Sequence, residues 1–136
     1  MRKTFAAVGL AIALLAVLSA CGPEPLGPKE TAIKWLQAME QRDTATAWQL
    51  LSLDAQATIS PEEFTAMIER SWAETKLVSF QVKSVQEPIP FRNGTRASVP
   101  YAATLTTQDG TPTDVYNALS LVKENDQWRV IWPPVR

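Results

Sequence analysis

The chain has 136 residues, with 13 Lys and Arg, 14 Asp and Glu, one cysteine and no histidine, and a net charge of −1. That length suits one compact domain with a core built without disulfides. The near-neutral charge, with no basic stripe and no acidic tail, argues against a nucleic-acid surface. Without histidine there is no His-based triad, and a single cysteine leaves nothing to build a Cys/His zinc site.

Met1-Arg2-Lys3 is a short basic start, and Phe5 to Leu18 follows as 14 uncharged residues. A bilayer span needs roughly 20 residues, so this run suits the core of a secretory signal instead. Ser19 and Ala20 then lead to Cys21. Leu18-Ser19-Ala20-Cys21 resembles the lipobox of bacterial lipoproteins. The resemblance implies cleavage between Ala20 and Cys21 and a thioether-linked diacylglycerol on Cys21, the first mature residue. An ordinary secretory signal with an accidental cysteine is the plainer alternative. Gly22, in place of aspartate, resembles an outer-membrane destination if the cell is Gram-negative.

Residues 1–20 are therefore read as a lipoprotein signal peptide and 21–28 as the lipidated cysteine with a tether. Gly22-Pro23-Glu24-Pro25-Leu26-Gly27-Pro28 neither continues a helix nor pairs in a sheet. In a polyproline-like state it reaches about 20 Å, at roughly 3.1 Å per residue. Residues 21–136 carry 14 Asp and Glu and, without Arg2 and Lys3, 11 Lys and Arg, a net charge of −3.

Residues 29–136 form the folded domain. Ala32, Trp35, Leu36 and Met39 recur at helical spacing within 29–43. Thr44 to Leu51 reads as a second, short helix capped by Asp43 or Thr44. Ser60-Pro61-Glu62-Glu63 is a capping box with proline at the first helical position, and predicts a third helix to about Glu74. Phe64, Met67, Ile68 and Trp72 mark its apolar side.

The period then changes to two. Val78, Phe80 and Val82 predict one strand, and Ala97 to Leu105 a longer one. Val115 to Leu121 and Trp128 to Trp132 predict two more. Asn93-Gly94, Asp109-Gly110 and Asn125-Asp126 are the turns between them. Pro88 and Pro90 mark an irregular link, and Pro100 suggests an edge strand or a bulge. Three helices followed by an antiparallel meander of about four strands make an α+β domain, helices on one face of a curved sheet.

AIKWLQAMEQRDTATAWQLLS, then SPEEF, then LVKENDQWRVIW, in this order and spacing, resemble the NTF2-like superfamily. The likeness is to the N-terminal NTF2-like domain of methicillin-resistance-type penicillin-binding proteins and to related small lipoproteins. It spans roughly Glu30 to Pro133. It implies a cone, a bent sheet wrapped around helices, with a possible cavity. In the penicillin-binding proteins a transpeptidase follows; this sequence stops at Arg136, so the expectation is the module without its enzyme.

Chemistry is sparse. Ser120-Leu121-Val122-Lys123 fits S-x-x-K, but positions three apart share a face only on a helix, and these lie on a predicted strand. Asn93-Gly94-Thr95 matches a glycosylation sequon but reads better as a hairpin turn. No glycine-rich phosphate loop or calcium loop is present. The one candidate pocket is Tyr101 with Asp114 and Tyr116, the last two sharing a strand face. A buried carboxylic acid beside a tyrosine polarises a carbonyl, as in an isomerase or hydratase. The favoured alternative leaves Asp114 in water at a strand end and the tyrosine hydroxyls at the rim. Trp35, Trp48, Trp72, Trp128 and Trp132 read as core rather than as sugar-stacking platforms.

The expectation is a non-enzymatic, extracytoplasmic interaction module without cofactor or metal. It is held to a bacterial membrane through Cys21 and touches an envelope protein or peptidoglycan. The alternative is a binder of a lipid or cell-wall fragment in the cone.

Overall fold

The structure, a computed structural model, describes residues 24–133. The signal segment, Ala20 and Cys21 lie outside those residues. Among the described residues four helices come first: α1 Pro28–Glu40, α2 Thr44–Gln49, α3 Leu53–Thr58 and α4 Pro61–Glu74. Five strands follow: β1 Leu77–Val85, β2 Ile89–Phe91, β3 Arg96–Thr107, β4 Pro112–Glu124 and β5 Gln127–Val130.

The helix boundaries follow local chemistry. Ser60 Oγ accepts from the Glu63 amide at 3.1 Å, the expected N-cap, and donates to Glu63 Oε1 at 3.1 Å, so the Glu63 carboxylate reaches back to the Ser60 hydroxyl rather than to its backbone N–H. Asp43, not Thr44, caps α2, accepting from the Thr46 amide at 3.1 Å and the Thr46 hydroxyl at 2.6 Å. Pro28 takes the first turn of α1, where a missing N–H costs nothing.

The strands form one antiparallel sheet in the order β1-β3-β4-β5, with β2 pairing β3 beyond the end of β1. Two register shifts bend β1, between Leu77 and Ser79 and between Val82 and Ser84. The curled inner face carries Val99, Leu119, Leu121 and Val130 against Trp35 and Leu36 of α1 and Phe64 and Ile68 of α4. Leu36, Leu51, Phe64 and Leu121 are fully enclosed. Each such side chain contributes about 1.5–3 kcal/mol by burial.

The outer edges of β1 and β5 are both met by other parts of the chain. The Glu40 carboxylate accepts from the Val82 amide on the free side of β1. Arg42 donates to the carbonyls of Leu77 and Val78 at 3.3 and 3.1 Å. At the far edge, the segment between α2 and α3 runs beside β5. Val130 donates to the Leu50 carbonyl and Ser52 to the Val130 carbonyl, each at 2.8 Å. Unpaired ladder groups there would invite another chain.

The structure adds two elements to the predicted set. Helix α3, capped by Ser52 Oγ on the Ala55 amide at 3.3 Å, lies between the predicted helix that ends at Leu51 and the one that starts at Ser60. Six residues with only Ala55 buried give no periodic signal. Strand β2 lies in the link read as irregular, and Pro90 is tolerated because β2 is paired on one side only. Pro100 sits in the central strand β3, not at an edge. Its carbonyl accepts from the Gln86 amide at 2.8 Å, in the gap where β1 ends and β2 has not begun. The missing N–H lies on that same side, after β1 has ended and before the chain enters β2.

Candidate functional site

The curl of the sheet decides which predicted residues meet. Tyr101 stands opposite Asn117 in the β3–β4 ladder, and Tyr116 stands opposite Ala102. Residues paired across an antiparallel ladder share a face, and successive residues alternate. Tyr101 therefore faces the inside with Val99, while Asp114 and Tyr116 face the outside. The sheet stands between them.

Inside, Tyr101 packs at the margin of the core, and burial pushes its phenol above the ordinary tyrosine value. The hydroxyl stays protonated near neutral pH. Outside, Asp114 Oδ1 accepts from the Thr104 hydroxyl at 2.8 Å and Oδ2 from Lys83 Nζ at 3.1 Å. The Thr104 hydrogen bond first, and then Lys83, hold this carboxyl below the usual carboxylate range. Its side chain is 49% exposed, and Tyr116 is 78% exposed. Asp114 is a solvated, ionised carboxylate in a cross-strand ion pair, and in this state it has no proton to lend a substrate carbonyl.

Ser120 and Lys123 both lie in β4, on opposite faces, opposite Ser98 and Trp128 respectively. The S-x-x-K geometry is not formed. Asn93 and Gly94 have φ of 55° and 77° in the β2–β3 turn, the conformation such a pair favours.

The tryptophans are structural. Trp35 is buried; Trp132 lies 6.5 Å from it and 5.4 Å from Phe64, centroid to centroid. Trp48 Nε1 donates to the Ile59 carbonyl at 2.9 Å, and Trp72 carries the Arg42 guanidinium 4.4 Å above its ring. The Trp35 indole N–H is buried without a hydrogen-bond partner among the described residues.

Two surface features escaped the sequence reading. Met67, expected inside, is exposed and lines an apolar groove of about 250 Å³ with Ala55, Ile59 and Trp132. Ile89 and Phe91 of β2 are exposed beside a turn that carries Arg92. The alternation Ile89-Pro90-Phe91 before Asn93-Gly94 was the available signal for that hairpin. Among the described residues, no helix is long and apolar enough to cross a membrane.

Helices followed by a curled antiparallel sheet that wraps them make an NTF2-like domain. The chain belongs to the family described as the NTF2-like N-terminal transpeptidase domain, which it matches over residues 27–135. No curated protein matches the sequence. Among solved structures, an NTF2-like protein of unknown function from Burkholderia pseudomallei is similar at TM-score 0.54 and 16% identity, covering 76% of this chain and 86% of that one. A putative polyketide cyclase from Pseudomonas putida gives 0.54 and 12%, covering 78% and 90%. A putative calcium/calmodulin-dependent protein kinase type II association domain from Thiobacillus denitrificans gives 0.55 and 17%, covering 85% and 100%. At these identities the likeness speaks for the fold alone.

Proposed function

We propose that this protein is a non-enzymatic interaction module of the bacterial envelope, held to the membrane by lipid on Cys21. The observation that carries the non-enzymatic reading is the separation of Tyr101 from Asp114. The carboxylate considered for cone chemistry is outside the cone, ionised and in water. The family is named for a domain that accompanies a transpeptidase, which supports a positioning role. The lipid reading rests on Leu18-Ser19-Ala20-Cys21 and the short Pro/Gly tether behind it. Two or more acyl chains anchor stably, at about 0.8 kcal/mol per buried methylene.

A second reading, a binder of a small apolar ligand, is favoured by the groove at Ala55, Ile59, Met67 and Trp132. It places the ligand between α3, α4 and the Trp132-Pro133 stretch after β5 rather than under the sheet.

Cys21→Ser tests the anchor. The expected result is an unprocessed, unacylated precursor. A variant that still matures and fractionates with membranes overturns the anchor. In-cell cross-linking of the wild type is expected to recover a few envelope proteins that the Cys21→Ser chain does not. Recovery of bulk lipoproteins alone overturns the interaction module and turns attention to the groove.

A further inference from the structure

We propose that the β2–β3 hairpin is a second contact with the lipid surface, beside the point where the N-terminus leaves the domain. The proposal rests on the anchor reading and deepens it by giving the anchored domain an orientation.

The path of the chain carries the first part. Pro25 and Leu26 line one shallow groove with Gln127, Trp128 and Arg129, at the start of β5. Lys29 Nζ, one residue into α1, bonds to Glu87 Oε1 at 2.6 Å, and Glu87 lies two residues before β2. The Lys123 amide donates to the Thr95 carbonyl at 2.9 Å, which ties the β2–β3 turn to the end of β4. The N-terminal exit, the Arg92–Thr95 turn and the Asn125-Asp126 turn therefore share one end of the sheet. The Asp109-Gly110 turn is at the other end, separated by the 12 residues of β3, roughly 35–40 Å of strand.

Covalent geometry carries the second part. Cys21 precedes Glu24 by three residues, a span of at most about 10 Å. An acylated Cys21 holds this end of the sheet, and no other, next to the headgroups.

The surface presented there suits a bilayer. Ile89 and Phe91, alternate residues on one side of β2, are 58% and 40% exposed, and Leu26 beside the exit is 46% exposed. Arg92 follows Phe91, and Arg96 is the ladder partner of Phe91. Guanidinium groups next to exposed apolar side chains match a phosphate layer over acyl chains. The same end also carries Glu87, paired with Lys29, and Glu124 and Asp126 of the neighbouring turn. Charge is near balance, so the contact is led by apolar insertion rather than by a polybasic cluster.

The test uses the full acylated chain in vesicles of phosphatidylethanolamine and phosphatidylglycerol. Cys21 is the sole native cysteine, and its sulfur is taken by lipid, so a nitroxide reacts only with an added cysteine. Thr95→Cys labels the hairpin turn and Thr111→Cys the opposite end. Both sites are exposed, and neither has a positive φ. The expected ratio of oxygen to nickel-chelate accessibility is several-fold higher at position 95 than at 111. Adding Ile89→Ser and Phe91→Ser should bring position 95 down to the level of 111.

Equal ratios at 95 and 111 on a chain proven acylated by mass spectrometry overturn the hairpin contact and leave the anchor standing. A chain that carries no acyl group overturns the anchor, and the hairpin proposal falls with it. A label at 95 that is immobilised without any gain in oxygen access indicates a protein partner and overturns the lipid assignment.

Discussion

Trp132 meets Phe64 edge to face at 5.4 Å, so the stretch after β5 closes onto α4. The same indole lies tilted against Trp35 at 6.5 Å. Three elements far apart in sequence thus share one aromatic cluster, and ring pairs in this geometry contribute beyond their buried area. Trp132→Ala is expected to lower stability by about 3 kcal/mol, the low end for a large aromatic, because Trp132 is half-buried. Phe64→Ala, which empties a fully enclosed site, should cost up to about 5 kcal/mol. Urea denaturation of the two variants checks the order. An unchanged midpoint for Trp132→Ala would take Trp132 out of the core and reopen a binding role for the ring.

Arg42 turns the chain between α1 and α2 at φ 57°, a conformation most side chains avoid. Its contacts offset that strain: the stack on Trp72 and the two carbonyls on the edge of β1. Truncation separates backbone from side chain. Arg42→Ala should destabilise by about 1–2 kcal/mol, through the lost cation–π contact and charged hydrogen bonds. Arg42→Gly loses the same contacts but sheds the φ penalty, so it should be the milder change by up to about 1 kcal/mol. If the glycine variant is as unstable as the alanine variant, or more so, the strain account is wrong.

Asp114 gives the fold an acid-sensitive ion pair. Its carboxyl titrates below the ordinary aspartate range in the folded chain, because of the Thr104 hydrogen bond and Lys83. A depressed folded pKa adds stability above the unfolded value and loses it as pH falls through the folded one. Asp114→Asn should therefore melt below the wild type at pH 7, with the gap closing as pH drops past about 4. The contribution is small, since the pair is exposed and screened by salt. A gap that stays constant down to pH 3 would assign the difference to packing, not to charge.

Much of this was legible beforehand, and the reasons are local. Ser60-Pro61-Glu62-Glu63 encodes a helix start within four residues, and Asn93-Gly94 encodes a turn within two. Neither needs a distant partner. The alternation around Val99 and Leu119 reports a half-buried strand by itself. Six residues after Ser52, with one buried alanine, carry no such period, so α3 shows only in the folded chain, where it follows the Leu51–Val130 bridge. Pro100 misled for a related reason. Its tolerance depends on a gap between β1 and β2 that only the assembled sheet contains.

The sequence by itself determined that helices precede strands, the helices α1, α2 and α4, the strands β1, β3, β4 and β5, the Ser60 cap, the turns and the family likeness. Asp114 and Tyr116 on one strand face also followed from their spacing. Only the tertiary structure decided that Tyr101 lies across the sheet from them, because that depends on the Tyr101–Asn117 register and on the direction of curl. It alone also set the exposed Ile89 and Phe91 at the end of the sheet from which the N-terminus leaves. Spacing along a chain reports which residues share a face. Which face turns inward, and what two ends come together, depends on long-range pairing that no local pattern encodes.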